Sequence, residues 1–379
     1  MKVTISVKGR FHAFFLAHEL QKAGILAQLV TSYPVFQARE YGIEKSFVCS
    51  LLLNECIERA YRHYFSFLPQ RQKMNSFFHT FFDKRVRSKI KQDSDIFVGF
   101  SSSCLHTIRS LQSKATKIIV ENGSTHAVFQ EEILEEEYAL HGLCYVSDAM
   151  MIEKKCQEYT LADYISVPSR FAENSFLRQG LSAKKIIRVP YGVDTQKFYS
   201  LPKFDSQFRI IFCGNVNMRK GIIYLLKAFY ELKLPRAELY IIGPVSIEVH
   251  MFIKKYQTHN IVLAGSFREN KLVHEYTKGD VFCLPSIEEG LALVLLQAMA
   301  CGLPVICTTH TGGSDIICDE QEGFVLPIRD VDALKEKIVL LYEDKVLRRD
   351  MGQQAQKTIL EKFTWAHYGE KMIAAYRAL

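Results

Sequence analysis

Short runs of β-branched and aromatic residues alternate along this chain with longer segments whose apolar residues recur at helical spacing. The short runs predict strands at residues 3–7, 25–30, 96–100, 117–120, 164–167, 186–189, 209–213, 238–242, 261–263, 281–284, 305–307 and 324–326. The longer segments predict helices at residues 12–22, 149–159, 171–178, 221–232, 291–301 and 332–342. Strands and helices in alternation build parallel sheets that are covered on both faces, so the pattern predicts an α/β protein.

The alternation occurs twice, which predicts two doubly wound, Rossmann-like domains. Turn-forming residues cluster at 190–194 and 201–202, and a new strand follows them. We therefore expect a first domain over residues 1–190 and a second over 191–362. Residues 363–379 are helical and rich in aromatic side chains, and we expect them to cross back onto the first domain.

Residues 45–91 do not follow the alternation. They hold ten Lys or Arg, only three Asp or Glu, and many aromatic residues, among them Phe65 and Phe67. The pattern predicts two or three amphipathic helices inserted in the first domain. Four phenylalanines ahead of a dense run of cations recur at three- and four-residue spacing and are expected to mark one helix face: Phe77, Phe78, Phe81 and Phe82. The insert is either a helical layer with a solvated basic face or a docking surface for a membrane or an anionic acceptor.

Composition and charge narrow the function classes. The net charge of +7 over 379 residues suits an anionic ligand or a membrane surface, but no stripe of basic and aromatic residues predicts nucleic-acid binding. Lys8 and Arg10 interrupt the apolar start, which predicts a first strand instead of a signal peptide. Residues 290–309 carry no formal charge, but Pro304 and two glycines favour a buried helix and strand over a membrane span. The ten cysteines show no Cys-x2-Cys spacing, so we expect buried thiols in a reducing cytoplasm.

The candidate chemistry is not that of a dinucleotide enzyme. The first predicted strand of each domain leads to a single glycine, Gly9 or Gly214, without the G-x-G-x-x-G pattern. Arg219 and Lys220 stand directly ahead of a predicted helix, whose N-terminus already carries partial positive charge. A bound diphosphate would offset this excess of positive charge, and a solvated lysine on a loop is the alternative.

The strongest functional signal lies where the strand at 281–284 ends. Glu289 stands in the following loop, and a helix is predicted to begin at Gly290, which would place backbone N–H groups beside the carboxylate. A carboxylate accepts hydrogen bonds from sugar hydroxyls, while a helix N-terminus stabilises the charge of a departing diphosphate. Gln297 lies about two turns further along, on nearly the same helix face.

Residues 285–306 resemble the donor-site signature of family 4 retaining glycosyltransferases, in which Glu289 occupies the first position of the Glu-x7-Glu pattern. Shorter motifs similar to that family follow in the same order, at residues 162–169, 189–194, 219–221, 311–313 and 323. The resemblance covers essentially the whole chain. It implies the GT-B fold, in which two Rossmann-like domains face a central cleft. It also implies sugar transfer, with retention of configuration, from a UDP-, GDP- or ADP-sugar to a glycan, lipid-linked or small-molecule hydroxyl.

The resemblance implies roles for individual residues. Glu289 would hold hydroxyls of the donor sugar, Lys220 would neutralise the β-phosphate, and Gly9 would lie opposite Lys220. His126 would correspond to the catalytic cleft histidine near the anomeric carbon, although a lone histidine is more often structural. The other donor-binding residues, of which 290–293 would turn their backbone N–H groups to the diphosphate, are Arg219, Asn215, Gly290, Leu291, Ala292, Leu293 and Gln297.

Three positions depart from the family pattern. Gln297 stands in place of the second Glu, Asn215 in place of an Arg, and the carboxylate after Thr-Gly-Gly is shifted to Asp315. A catalytically silent protein that binds a nucleotide sugar or acts as a scaffold is therefore an alternative. A nucleotide-sugar epimerase is another.

No metal or other cofactor is expected. Residues 93–95 and 330–332 have the D-x-D spacing of metal-dependent transferases, but both stand where turns or helix starts need caps. Lys220 and a helix N-terminus can supply the positive charge that a divalent ion would otherwise bring. The hypothesis is a metal-independent hexosyltransferase of polysaccharide or glycolipid biosynthesis. We expect it in the cytoplasm, either free or peripheral on the inner face of the membrane.

Overall fold

A computed structural model describes residues 1–64, 71–91 and 93–379, which fold around two parallel β-sheets. The strands of the first sheet are β1 (Val3–Val7), β2 (Leu26–Thr31), β3 (Val48–Ser50), β4 (Ile96–Phe100), β5 (Lys117–Glu121), β6 (Tyr164–Val167) and β7 (Ile186–Arg188). The strands of the second sheet are β8 (Phe208–Cys213), β9 (Ala237–Ile242), β10 (Ile261–Gly265), β11 (Val281–Leu284), β12 (Val305–Thr308) and β13 (Gly323–Leu326). The fold class predicted from the sequence is confirmed.

Helices cover both sheets. In the first half of the chain they are α1 (Ala13–Lys22), α2 (Val35–Glu40), α3 (Leu52–Tyr64), α4 (Arg71–Arg87), α5 (Leu105–Leu111), α6 (Ala127–Leu140), α7 (Ala149–Leu161) and α8 (Arg170–Arg178). In the second half they are α9 (Ile222–Leu232), α10 (His250–Tyr256), α11 (Glu269–Thr277), α12 (Leu293–Ala300), α13 (Val331–Glu343), α14 (Lys345–Lys362) and α15 (Trp365–Arg377). Strands covered on both faces are buried along their whole length, and every residue of β1 and β8 is buried, including the polar Thr4, Ser6 and Arg209.

The strand order of each sheet reverses next to its first strand. The first sheet runs β3-β2-β1-β4-β5-β6-β7 and the second β10-β9-β8-β11-β12-β13. Open parallel sheets bind ligands at such a reversal, outside the carboxyl ends of the strands. This rule predicts a ligand site at the loops that follow β1 and β4 in the first sheet and β8 and β11 in the second.

The predicted helical insert at 45–91 is partly wrong. Its residues 48–50 form β3, which pairs with β2 at the edge of the first sheet. Three half-buried residues are too few to show a strand period in the sequence, so the signal was missed. The helical part comprises α3 and α4. Phe65 and Phe67, two of the aromatic residues of the insert, lie outside the described residues.

The phenylalanines of α4 do not share one face, which corrects a second expectation. Phe78 and Phe82 are buried, whereas Phe77 is 52% exposed and stacks on Phe81 with ring centroids 6.0 Å apart. Neighbouring residues on a helix differ by about 100° in direction, whereas residues four apart lie on nearly the same face. Phe78 and Phe82 therefore share one face, and Phe77 and Phe81 share another. One pair packs into the core and the other leaves an aromatic surface beside the exposed cations Lys84 and Arg87.

Helix α15 follows the second domain in the sequence but packs against α1 of the first. Trp365 stacks on Phe15 with centroids 4.2 Å apart and planes 9° from parallel. Tyr368 meets the edge of His12, and Gly369 lies against Glu19. The residues from 365 onward therefore complete the first domain, while the boundaries at 190 and 362 stay predictions.

Candidate active site at the interdomain cleft

The carboxyl ends of the two sheets face each other across a cleft that contains two cavities. The first cavity, of 840 Å³, is lined by residues that follow β1, β2 and β10, including Gly9, Tyr33 and Phe267. The second cavity, of 540 Å³, is lined by residues of α8 and by residues 309–315 after β12. Both are large enough for a small-molecule ligand.

The predicted cation and the predicted acid meet on the neighbouring loops after β8 and β11, and neither side chain lines either cavity. Met218–Lys220 form a short 3-10 turn after β8, and the Asn217 side chain accepts the Lys220 N–H at 3.0 Å. The Lys220 side chain is thereby directed at the loop after β11, where its Nζ lies 2.5 Å from Glu289 Oε1. Both residues are buried, so the ion pair acts in a medium of low dielectric.

Arg219 extends this pair into a cluster of two cations and two carboxylates. Its Nη1 lies 3.2 Å from Glu289 Oε1 and 3.2 Å from Glu288 Oε2. Burying a charged group costs free energy, and the pairing of two cations with two carboxylates offsets that cost. An incoming diphosphate would find two cations already fixed there.

Glu288 is a site residue that the sequence analysis missed. It belongs to the second domain, but its carboxylate accepts hydrogen bonds from the first: from Ser124 Oγ at 2.8 Å, Thr125 N at 3.1 Å, Thr125 Oγ1 at 2.7 Å and Gln130 Nε2 at 2.6 Å. Burial alone would raise its pKa, but Arg219 and these donors outweigh burial and lower the pKa of Glu288 to about 2. The signal available in the sequence was the doublet of carboxylates ahead of Gly290.

The two domains also touch through backbone at this point. A Cβ on Gly290 would collide with the carbonyl group of Gly123, so only glycine allows the two loops to approach this closely. Ser169 Oγ donates to the Gly290 carbonyl at 2.5 Å. The loop after β11 is thus held from the first domain on both sides.

The predicted helix start at Gly290 is wrong, because α12 begins at Leu293. The N–H of Glu289 donates to the His310 carbonyl at 2.9 Å and that of Ala292 to the Thr311 carbonyl at 3.2 Å. The loop after β12 therefore holds part of this segment in a non-helical conformation. The Ala292 N–H, which was expected to face a diphosphate, is already used, and in the described structure the N–H groups of Gly290, Leu291 and Leu293 are not.

The side-chain contacts of His126 lie within the first domain. Its Nδ1 accepts the Val128 N–H at 3.2 Å, which caps α6, and its ring packs on Tyr159 and Phe176 with centroids 5.0 Å away from each. Burial lowers the pKa of His126 to about 4, so the ring is neutral at pH 7. Its catalytic role stays a prediction that these contacts do not support.

The remaining predicted donor residues differ in their surroundings. Gly9 and Gln297 both line the first cavity. The Gly9 N–H donates to Ser32 Oγ at 3.0 Å, and Gln297 Oε1 accepts from Tyr276 at 3.1 Å, which leaves the Gln297 amide nitrogen as the polar group for a ligand. Asn215 is exposed beside the turn. The carboxylate of Asp315 forms an ion pair with Arg188 of the first domain, at 2.8 Å.

A second buried pair, His12 and Glu121, lies at the first cavity and was also missed. His12 Nε2 and Glu121 Oε1 are 3.0 Å apart at the carboxyl ends of β1 and β5. The His12 ring packs on Phe100 and on Tyr191 of the connection between the domains. The two residues lie about 110 positions apart in the sequence, so no local sequence pattern could predict that they pair.

Within the described ranges, no three His, Cys, Asp or Glu side chains are grouped as metal ligands would be. The first aspartates of the two D-x-D motifs have structural partners. Asp330 caps α13, and Asp93 pairs with Lys2. Metal independence stays a prediction. Nor is any helix in the described part of the chain long and apolar enough to cross a membrane.

Comparisons with known proteins agree with this architecture. Residues 193–358 match the family model of glycosyl transferases group 1. An uncharacterized glycosyltransferase of Methanocaldococcus jannaschii is 25% identical over 298 residues, which are 74% of this chain and 72% of that protein. Sulfoquinovosyl transferase of Arabidopsis thaliana is 31% identical over 221 residues, which are 54% of this chain but only 42% of that protein.

Two solved structures share the whole fold. Sucrose-phosphate synthase of Thermosynechococcus elongatus superposes with a TM-score of 0.73 at 18% identity, covering 100% of this chain and 98% of that one. HepE of Anabaena, in complex with UDP-glucose, gives a TM-score of 0.67 at 13% identity, covering 100% of both chains. The expected resemblance to group 1 glycosyltransferases and the expected GT-B fold are confirmed.

Proposed function

We infer that this chain, whose sequence relatives and group 1 family match support a glycosyltransferase activity, transfers a sugar from a nucleotide-diphosphate donor bound in the interdomain cleft. The observation that carries the proposal is the 2.5 Å contact between Lys220 Nζ and Glu289 Oε1. It joins one group suited to a phosphate and one suited to sugar hydroxyls. We propose that the nucleotide occupies the first cavity, which Gly9 and Gln297 line.

The ion cluster suits a diphosphate leaving group. Lys220 has three N–H donors, so it can bind a phosphate oxygen without losing Glu289, and Arg219 lies next to it. As the bond from the anomeric carbon to the diphosphate breaks, negative charge grows on the leaving oxygen, and fixed cations stabilise that charge. In our proposal, these residues do the work of a divalent ion.

We propose transfer with retention of configuration. The acceptor hydroxyl approaches on the face of the leaving group, and its oxygen forms the new bond to the anomeric carbon. The hydroxyl proton passes to an oxygen of the departing diphosphate, so no protein base is required. This route agrees with the presence of one sugar-facing carboxylate, since glycosidases need two around the bond that breaks.

The finer assignments are also proposals. The donor is a UDP-, GDP- or ADP-hexose, and HepE, a protein of the same fold, binds UDP-glucose. The acceptor is a glycan, lipid-linked or small-molecule hydroxyl. We propose a cytoplasmic enzyme of polysaccharide or glycolipid biosynthesis. A screen of nucleotide sugars that detects released nucleotide by mass spectrometry tests the activity, and no release from any donor would contradict it.

Replacing Lys220 with alanine is expected to weaken UDP binding about 10- to 100-fold. One charge-assisted contact is worth about 1.5–3 kcal/mol, and the loss leaves Glu289 facing the phosphates. Isothermal titration with UDP measures the effect. Lys227→Ala on the exposed side of α9 is the matched control and should bind normally. Equal affinities in the two variants would remove Lys220 from the donor site.

We propose that the aromatic surface on α4 docks on a membrane, and liposome binding tests this. Phe77 and Phe81 stack at the surface next to exposed cations, an arrangement that suits an anionic leaflet. We expect binding to liposomes with anionic lipid at low salt, and a loss of about tenfold in Phe77→Ser. Phe36→Ser, at an exposed phenylalanine of α2, is the control. Wild-type protein that fails to sediment with the liposomes would favour a soluble acceptor.

A further inference from the structure

The second cavity is lined by positively charged residues that take no part in the proposed donor site. Three arginines from the first domain line it: Arg170 and Arg178 at the two ends of α8, and Arg188 at the end of β7. These three residues come from three separate points of the fold. A single exposed lysine or arginine needs no explanation, but three around one cavity between domains do.

Only one of the three is neutralised. Arg188 Nε lies 2.7 Å from Glu173 Oε2, and its Nη1 lies 2.8 Å from Asp315 Oδ1. The Arg178 guanidinium lies over the ring of Phe129, 5.7 Å from its centroid. Among the described residues, no carboxylate lies within ion-pair distance of the Arg170 or Arg178 guanidinium. The cavity therefore keeps an excess of positive charge.

The cavity shares a wall with the proposed reaction centre. Phe171 stacks on His310 across the domain boundary, with centroids 4.3 Å apart and planes 22° from parallel. The His310 carbonyl accepts the N–H of Glu289 at 2.9 Å. A ligand that touches His310 thus lies against the loop that positions Glu289.

We propose that the second cavity binds a phosphoryl group of the acceptor substrate. This rests on the proposed function, because it places the donor and the acceptor on either side of the loop after β11. Guanidinium forks match phosphate oxygens, and the two uncompensated cations Arg170 and Arg178 suit a negatively charged group. The 540 Å³ volume exceeds that of a phosphate, and Phe129 and Phe171 offer apolar surfaces for the remainder of the acceptor.

Isothermal titration of inorganic phosphate into protein saturated with UDP tests the proposal. The nucleotide occupies the Lys220 site, so the phosphate that still binds reports on another site. We expect binding in the wild type and a loss of about tenfold or more in the double variant Arg170→Ala/Arg178→Ala, with UDP affinity unchanged. Arg349→Ala, at an exposed arginine paired with Asp350, is the matched control.

Each outcome decides between the two proposals. Phosphate affinity that is equal in the double variant and the control, or absent once UDP is bound, overturns the second site. Wild-type protein that binds phosphate through these arginines but never binds UDP keeps the anion site and overturns the donor site. Competition by glycerol 3-phosphate supports a soluble phosphorylated acceptor and competition by phosphatidic-acid vesicles a lipid-borne one. Competition by neither shows that the site is not an acceptor site.

Discussion

Replacing Glu289 with alanine is expected to lower turnover about 100-fold while UDP binds as well as before or more tightly. The two effects separate because the carboxylate would serve the sugar, whereas Lys220 and Arg219 would serve the phosphates. Loss of one preorganised polar group at a reacting centre typically costs about this much in rate. Without Glu289, moreover, Lys220 loses the partner that lies 2.5 Å away and has more of its charge available for the diphosphate.

Turnover of a saturating donor and titration with UDP measure the two sides of this prediction. Glu289→Gln keeps the volume and one acceptor oxygen, so its loss of rate should be smaller than that of the alanine variant. Glu336→Ala, at an exposed carboxylate on α13, controls for the removal of a charge alone. Weakened UDP binding with a normal rate in Glu289→Ala would reverse the assigned roles.

Glu288→Gln is expected to lower the melting temperature more than any surface substitution does. The carboxylate bonds Ser124, Thr125 and Gln130 of the first domain and pairs with Arg219, and the amide would turn an N–H₂ group toward some of those donors. A buried hydrogen-bond donor that loses its acceptor costs about 1–3 kcal/mol, and Arg219 keeps Glu289 as its second partner. Because this residue joins the domains, the variant should also open the cleft more readily.

The same residue gives a pH dependence with a definite sign. The pKa of Glu288 is about 2 in the folded protein against 4.5 for an ordinary glutamate, so the carboxylate contributes its full stability above pH 4.5. That contribution is lost as the pH falls toward 2. Melting temperatures of the wild type should therefore approach those of Glu288→Gln over this interval. A constant difference between the two proteins from pH 7 to pH 2 would show that the charge of Glu288 contributes nothing.

Where the sequence predicted the structure well, the information was local. The strands β1, β4, β6 and β11 lie at their predicted positions, because each is an apolar run bounded by polar or turn residues. The contact of Lys220 with Glu289 was not predicted, but it has a topological reason, since the loops after the neighbouring strands β8 and β11 emerge at one edge of the sheet.

Where the prediction failed, the deciding contacts come from distant parts of the chain. The His310 and Thr311 carbonyls accept the N–H groups of residues 289 and 292 and keep this segment out of the helix. Nothing within the segment shows that α12 begins only at Leu293. Glu288 finds its partners more than 150 residues away. The packing of Tyr159 and Phe176 around the His126 ring also comes from distant parts of the chain, while the catalytic role of His126 stays a prediction.

The packing of α15 on α1 bears on how the chain reaches this structure during synthesis. Phe15 emerges from the ribosome long before Trp365, and the whole second domain is made in the interval. Until then the aromatic face of α1 stays uncovered, a state that favours aggregation or capture by a chaperone. Closing so long a loop is slow, although its entropy cost grows only with the logarithm of length. We therefore expect the second domain, whose sheet strands all lie between residues 208 and 326, to reach its native packing before the first domain does.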